Sequence, residues 1–136
     1  MSRAITDGIQ VSVQSEFRPD RSFPAQSRFL FTYTVRILNG GASSARLLSR
    51  HWIITDARGE REEVRGDGVV GQQPLLKPGQ SFEYTSGTRL RTPTGSMQGS
   101  YFCVAEDGEQ FDAEIPAFVL DALGGPSGSG GSYTLH

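Results

Sequence analysis

The chain of 136 residues has few of the residue types that build metal and redox sites. It contains one cysteine, Cys103, and two histidines, of which only His51 lies outside the carboxyl-terminal tail. A single cysteine excludes an intramolecular disulfide and a multi-cysteine zinc site. It also favours a reducing compartment, so we expect a cytoplasmic protein without a bound metal or cofactor.

The sequence also lacks long apolar segments and an excess of positive charge. Its longest apolar run, Tyr101–Ala105, is far shorter than the ~20 residues of a bilayer-spanning helix, and no leader-like pattern opens the chain. The 13 basic and 15 acidic residues give a net charge of -2. We therefore expect no insertion into a membrane, and the charge disfavours nucleic acid as a partner.

Turn-forming residues, in contrast, are abundant, with 17 glycines and 7 prolines. The longest stretches without either are residues 25–39 and 42–58, which leaves little room for long helices. Between the turns, apolar and polar residues alternate, most clearly from Phe29 to Ile37. Alternation with period two is typical of strands that have one buried and one exposed face.

About seven segments have the character of strands. They lie near residues 9–17, 29–37, 47–55, 60–65, 82–88, 97–105 and 111–115. The fourth is highly charged, which predicts a sheet edge, and the sixth is apolar on both faces, which predicts a central strand. Trp52 is expected to anchor the core between the sheets. Pro116 is expected to end regular pairing.

Turn chemistry supports an all-β fold class. Lys77–Gln80 has the proline and glycine of a type II turn, and Asp107-Gly108 is typical of a hairpin. Short antiparallel strands separated by regular turns predict a two-sheet β-sandwich. We expect one domain in residues 1–123, folded from about residue 5, followed by a disordered Gly/Ser-rich tail in residues 124–136.

The segment Gly66-Asp67-Gly68-Val69-Val70-Gly71 has the glycine spacing of loops that approach a pyrophosphate. In a dinucleotide site such a loop opens a helix, but two prolines follow almost at once, which excludes a Rossmann site. Two interpretations remain. The loop is either an anion nest of backbone amides aided by Arg65, or a structural loop with positive φ that carries both valines into the core.

The other candidates for chemistry are His51 and two groups of carboxylates. His51 and Cys103 both lie in alternating strand patterns, so a catalytic pair is disfavoured and Cys103 is predicted to be a core residue. The carboxylates lie in residues 60–67 and in residues 106–109. Arginines are interspersed in the first group, which favours a solvated, salt-bridged face over a cation site or an acid–base pair. We assign no catalytic residue and no metal ligand.

A longer match then covers most of the chain. From Ser49 to Tyr101 it reads SRHWIITDARGEREEVRGDGVVGQQPLLKPGQSFEYTSGTRLRTPTGSMQGSY, and this run closely resembles the ApaG family, also called CorD. The likeness extends back through VSVQSEFRPDRSFPAQSRFLFTYTVRILN and forward through EDGEQFDAEIPAFVLDAL, about residues 5–123. The resemblance implies a fibronectin type III-like, immunoglobulin-type β-sandwich. The family's signature positions map onto Gly66, Gly68, Gly71, Arg50, His51, Trp52 and Arg65.

The resemblance supplies no reaction. It implies a link by name and gene neighbourhood to dinucleoside tetraphosphate hydrolysis, and by the CorD label to cobalt resistance and cobalt or magnesium efflux. Related domains in eukaryotic F-box proteins and in a protein that binds a DNA polymerase look like protein-interaction modules. We therefore predict a non-enzymatic protein-interaction module with an indirect link to efflux, whose partner is a protein or, in a homodimer, a second copy of the chain.

Two groups of residues follow from these predictions. Arg50 and His51 are candidates for surface interaction with a partner. The alternative function is binding of an anion or a dinucleotide polyphosphate at Arg65, Gly66, Gly68 and Gly71.

Overall fold

The computed structural model describes residues 2–123, which form two antiparallel sheets packed face to face. The nine strands of these residues are β1 (Ser2–Thr6), β2 (Ile9–Phe17), β3 (Phe29–Asn39), β4 (Ala45–Asp56), β5 (Arg61–Asp67), β6 (Leu75–Leu76), β7 (Ser81–Leu90), β8 (Thr94–Ala105) and β9 (Gln110–Asp121). One sheet has the order β1-β2-β3-β7; the other has the order β5-β4-β8-β9, with β6 paired to β4. The predicted all-β sandwich is confirmed. The predicted disordered tail lies outside the described residues.

The alternating residues of the strands build the core between the two sheets. Ile37 and Val35 of β3 are fully buried, as is Cys103 of β8. Trp52 of β4 lies at the centre, with its ring centroid 5.2 Å from that of Tyr33 in the opposite sheet. The predicted core roles of Trp52 and Cys103 are therefore confirmed.

Strand order agrees with the two predictions made from composition. The charged strand β5 is at the edge of its sheet, and the doubly apolar strand β8 lies between β4 and β9. The turn at Lys77–Gln80 is also present, because Gly79 has a φ of +87° and the Gln80 amide donates to the Lys77 carbonyl at 2.9 Å. Local composition was sufficient to place these elements.

The prediction that pairing ends at Pro116 is wrong, because β9 continues through it to Asp121. Two features make the proline tolerable. β9 is the last strand of its sheet, and the register with β8 shifts between Met97 and Gly99, opposite the proline. An edge strand with a bulge can hold a residue that has no N–H to donate.

The fold begins at Ser2 rather than at about residue 5, because β1 forms a hairpin with β2. The connecting residues Asp7 and Gly8 have φ angles of +48° and +83°. Positive φ at both positions is typical of a two-residue hairpin turn, and Asp-Gly is its common sequence. Asp7-Gly8 is thus the same hairpin signal as Asp107-Gly108, but this first hairpin was not predicted.

The two long sides of the sandwich differ. On one side β1 and β2 lie against β9, and hydrogen bonds join the sheets: Ser15 Oγ donates to the Val119 carbonyl at 2.9 Å, and the Glu114 amide donates to Thr6 Oγ1 at 3.1 Å. On the other side β5 and β7 are the terminal strands of their sheets. This side is open and positions the candidate site.

Helices contribute little to residues 2–123. Two short 3-10 segments, Pro19–Arg21 and Pro24–Gln26, precede β3. Within this range no helix has the length and apolar character needed to span a membrane.

Candidate functional site

A cleft of about 430 Å³ opens between the sheets on the side of β5 and β7. We call it the inter-sheet cleft. Its walls include Tyr33, Arg50, Trp52, Val64, Tyr84 and Ser86. It combines an aromatic base with hydroxyl groups and one half-buried cation, a composition suited to binding a ligand group that is partly apolar and partly charged.

Arg50 points into this cleft because of a bulge in β4. In uninterrupted alternation Leu47 and Trp52 would face opposite sides of the sheet, yet both are buried in the core. The register between β4 and β8 shifts between Leu47 and Ser49, which moves the following residues by one position. Arg50 therefore shares the inner face with Trp52 and lies opposite the buried Tyr101.

The Arg50 guanidinium is held by backbone rather than by a carboxylate. Its Nη1 donates to the carbonyl oxygens of Asp67 at 2.9 Å and Gly68 at 3.1 Å. It makes no ion pair with a carboxylate in residues 2–123. Gly66 gives it room, because a Cβ at that position would lie 2.7 Å from Arg50 Nη2.

Three tyrosine hydroxyls lie in the field of the Arg50 charge. The hydroxyls of Tyr84 and Tyr101 hydrogen-bond to each other across the two sheets, and that of Tyr33 bonds to Ser86. Burial raises the pKa of all three tyrosines, and the Arg50 charge lowers each pKa by a smaller amount. The three groups therefore remain neutral hydrogen-bonding groups at neutral pH.

The glycine loop is tied to the rest of the chain by backbone hydrogen bonds. The amides of Gly68, Val69 and Gln72 donate to the carbonyls of Leu48, Gln72 and Val69, respectively. Gly68 and Gly71 adopt φ angles of +70° and +81°. The N–H groups of these three residues therefore already donate to backbone carbonyls. The carbonyls of Asp67 and Gly68 in the loop accept hydrogen bonds from Arg50.

The two valines of the loop do not behave alike. Val69 is fully buried, as expected, but the prediction that Val70 enters the core is wrong. Val70 is 51% exposed, has a φ of +44° and borders the inter-sheet cleft. A β-branched residue rarely adopts positive φ, so this is a strained apolar side chain held at the mouth of the cleft.

The structure divides the residues that the sequence grouped together. Arg50 and Gly66 lie on the inner face, whereas His51 and Arg65, which pair with each other across β4 and β5, lie on the outer face. There His51 Nε2 and Glu63 Oε1 are 2.8 Å apart, and Arg65 Nη2 is 3.5 Å from the same oxygen. The hydrogen bond from His51 lowers the pKa of Glu63. The side chains of Arg50 and His51 therefore point to opposite faces of the sheet, although atoms of both residues, with Arg65 and Gly66, also line a second depression of about 610 Å³.

A pairing of His51 with Cys103 is also disfavoured by this geometry. Cys103 is fully buried on the inner face, and burial raises the pKa of its thiol to about 12. His51 lies on the outer face. Within residues 2–123 no three side chains of histidine, cysteine, aspartate or glutamate are grouped as a metal site.

Most of the cleft could not be recognised from the sequence. Tyr33, Tyr84 and Ser86 appeared only as alternating strand residues, and Val70 as a core residue. The one available signal was Arg50, a charged residue two positions before the predicted core residue Trp52. Its meaning depends on the bulge in β4, which the one-dimensional pattern did not reveal.

Comparison with known proteins gives one consistent family. The model of the ApaG domain matches residues 19–105. Protein ApaG of Anaeromyxobacter dehalogenans strain 2CP-C is 62% identical over 120 residues, which cover 88% of this chain and 94% of that protein. Protein ApaG of Acidovorax sp. strain JS42 is 56% identical over 130 residues, with 94% and 95% covered.

Solved structures agree. The crystal structure of the putative ApaA protein from Bordetella pertussis superimposes with a TM-score of 0.82 at 53% identity, covering 83% of this chain and 92% of that one. The C-terminal domain of wzt, with a TM-score of 0.53 and 10% identity, shares the fold alone. Because the strand pattern, the glycine signature and sequence identity over most of both chains agree, this chain belongs to the ApaG family.

Proposed function

We propose that the protein is a non-enzymatic, cytoplasmic protein-interaction module that binds an extended segment of a partner protein along β7. The observation that carries the proposal is the unprotected edge of this strand. β7 is the terminal strand of its sheet, and residues 84–88 of it carry no charged side chain and no proline. A free edge of this kind can accept another strand.

The other open edge provides the contrast. β5 carries charged side chains at Arg61, Glu62, Glu63 and Arg65. Charges on an edge strand oppose the addition of further strands. The chemistry of the open side therefore favours β7 as the edge that receives a partner.

Gly87, in the middle of β7, is a second support. A Cβ at this position would meet only the Phe31 carbonyl oxygen, at 3.4 Å, so the packing of the chain does not require glycine here. Glycine within a strand weakens it and is often found where another backbone approaches closely. An incoming strand would make such an approach.

The test is selection of peptides from a displayed random library, with binding of the selected peptides then measured by calorimetry. The blocking variant is Gly87→Lys, which places a charge on the β7 edge. The matched control is Gln98→Lys, which adds the same charge at an exposed position of β8 in the other sheet. We expect selected peptides to lose at least tenfold in affinity for Gly87→Lys and to keep their affinity for Gln98→Lys.

Any of three results would contradict the proposal. The first is the failure of any peptide to be enriched, and the second is equal binding of enriched peptides to both lysine variants. The third is a dimer of the free chain in sedimentation that Gly87→Lys dissociates, because a second copy would then occupy the edge. Amide NMR spectra of the variants should first confirm that each keeps the fold.

A second candidate function is binding of an anion or a dinucleotide polyphosphate at Arg65, Gly66, Gly68 and Gly71. The observation that favours it is the Arg65 side chain, which is 71% exposed beside the loop. Titration with a dinucleoside tetraphosphate should shift the amide signals of the three glycines. If the amide signals do not change, this candidate function is excluded. If the dinucleoside tetraphosphate is not hydrolysed during the titration, the result supports the non-enzymatic assignment.

The link to cobalt and magnesium efflux is proposed to be indirect, through the partner. Calorimetry with Co²⁺ or Mg²⁺ is expected to give no heat of specific binding. A saturable heat would instead favour a direct role in handling the metal.

A further inference from the structure

Arg50 is a half-buried cation with unused hydrogen-bonding capacity. Of the five N–H donors of its side chain, only those on Nη1 bond to residues 2–123, at the carbonyls of Asp67 and Gly68. No carboxylate of residues 2–123 forms an ion pair with it. A charge that is partly removed from water and lacks a counter-ion is unfavourable, and a ligand that supplies the counter-ion relieves this cost.

The surroundings of Arg50 add further donors. Tyr33 and Ser86 form one hydroxyl pair and Tyr84 and Tyr101 another, each near the guanidinium. A guanidinium can bind a carboxylate through two parallel N–H donors, and hydroxyl groups at its side can complete the hydrogen bonding. The cleft thus offers a planar cation and neutral hydroxyls on an aromatic base.

The charge of the cleft indicates which anion fits. Its charged lining residues are Arg50, Arg89 and Glu62, a net charge of one positive unit. A carboxylate brings one negative charge and balances it. A phosphate monoester brings close to two, which would place excess negative charge near Glu62 in a partly desolvated site.

Val70 indicates that the ligand has an apolar part next to this anion. Its exposed side chain borders the cleft in a strained backbone conformation that nothing in its own packing explains. Strain of this kind is found at ligand-binding positions. The apolar stem of an aspartate or glutamate side chain, or of its neighbour, would cover Val70.

We propose that the inter-sheet cleft binds a carboxylate, supplied by an acidic side chain of the partner segment, with Arg50 as the cation and Val70 as the apolar contact. The inference rests on the proposed function only for the source of the carboxylate. β7 forms one wall of the cleft, so a segment added along β7 lies next to Arg50.

The first experiment tests the site without a partner. Acetate, chloride and inorganic phosphate are titrated at constant ionic strength while the Nε–Hε NMR signal of Arg50 and the amide signals of Val70 and Ser86 are recorded. We expect a saturable shift with acetate, at least tenfold weaker binding of phosphate, and no saturable shift with chloride. No saturable shift with acetate, or tighter binding of phosphate, would overturn the inference.

Two variants assign any shift to the cleft. Arg50→Gln removes the cation and should abolish the acetate response at Val70 and Ser86, whereas Arg50→Lys should restore part of it. Val70→Glu leaves Arg50 in place and puts a carboxylate at the mouth, where it should compete with acetate. Val70→Glu is also informative if Arg50→Gln fails to fold. If a folded Arg50→Gln or Val70→Glu variant keeps the full acetate response, the assignment of that response to the inter-sheet cleft is refuted.

The second experiment tests the source and separates the two proposals. Each selected peptide is compared with versions in which an aspartate is replaced by asparagine or a glutamate by glutamine. The affinity of the selected peptides is also measured for the Gly87→Lys and Arg50→Gln variants of the protein. Loss of affinity with the amide version and with both variants supports both proposals. Loss with Gly87→Lys alone overturns the carboxylate inference and leaves the proposed function standing. An acetate response without any peptide binding supports the carboxylate site but contradicts a partner segment as its source.

Discussion

The guanidinium of Arg50 lies directly over Gly66, its neighbour across the β4–β5 pair, so closely that a Cβ on residue 66 would be 2.7 Å from Nη2. The glycine therefore determines where the Arg50 side chain, on the inner face with Trp52, can rest. Because Gly66 has no positive φ, its role here is to leave space for Arg50 rather than to form a turn. This relationship links a residue of the glycine signature to the inter-sheet cleft.

Gly66→Ala is expected to lower the free energy of unfolding by about 1–2 kcal/mol, because Arg50 must move and give up its bonds to the loop carbonyls. The matched control is Gly87→Ala, also in an edge strand, which should raise stability by about 0.5 kcal/mol through lower chain entropy. Urea unfolding measures both. The Arg50 Nε–Hε signal should move in the first variant only, and equal effects of the two alanines would contradict the steric role of Gly66.

Val70→Gly is expected to raise the free energy of unfolding by about 1 kcal/mol, although glycine usually destabilises. The valine has a φ of +44° and is 51% exposed, so the change relieves backbone strain and loses little burial. Thermal and urea unfolding provide the measurement. Destabilisation would show that Val70 is packed more firmly than its exposure indicates. The same variant should weaken the acetate response, since the apolar contact is lost.

Stability should fall in alkaline solution. Burial raises the pKa of Cys103 from 9.0 to about 12, so between these values the unfolded chain loses its thiol proton while the folded chain keeps it. The free energy of the unfolded state is thereby lowered relative to the folded state, by up to ~1.4 kcal/mol per pH unit for each such group. The tyrosines of the cleft act in the same direction at higher pH. Cys103→Ala should give a shallower decline between pH 9.0 and 12 in urea unfolding, and an unchanged decline would argue against burial of the thiol.

The outer face provides a prediction at acid pH. The hydrogen bond from His51 holds the pKa of Glu63 below its usual value of 4.5. The ionised carboxylate therefore favours the folded state above that value, and the contribution is lost as pH falls through the lowered pKa. An NMR titration of the Glu63 carboxyl group should show its pKa rising toward 4.5 in His51→Ala. In the comparison variant Arg65→Gln, we expect a smaller rise in the pKa of Glu63. If this pKa is the same in the parent protein and in His51→Ala, the hydrogen bond from His51 is not the cause of its lowering.

Several elements could be predicted from local sequence because their causes are local. Alternation from Phe29 to Ile37 buries one face of β3, and the turn at Lys77–Gln80 follows from the φ preferences of proline and glycine. The charged strand β5 could be placed at an edge because charges are poorly tolerated between strands. Pro116 was misjudged because its effect depends on what lies beside it: a neighbour on one side only, and a bulge opposite.

The sequence by itself determined the sandwich class, the core position of Trp52 and Cys103, and the family. Only the tertiary structure decided the candidate site. A bulge at residue 48 reverses the faces of the residues that follow it in β4, so Arg50 turns inward and His51 outward. The pairing of strands that are distant in sequence leaves β7 at an open edge and closes the opposite side through β1, β2 and β9. Periodicity reports which residues share a face within one strand, whereas the neighbours of that face depend on contacts between distant parts of the chain.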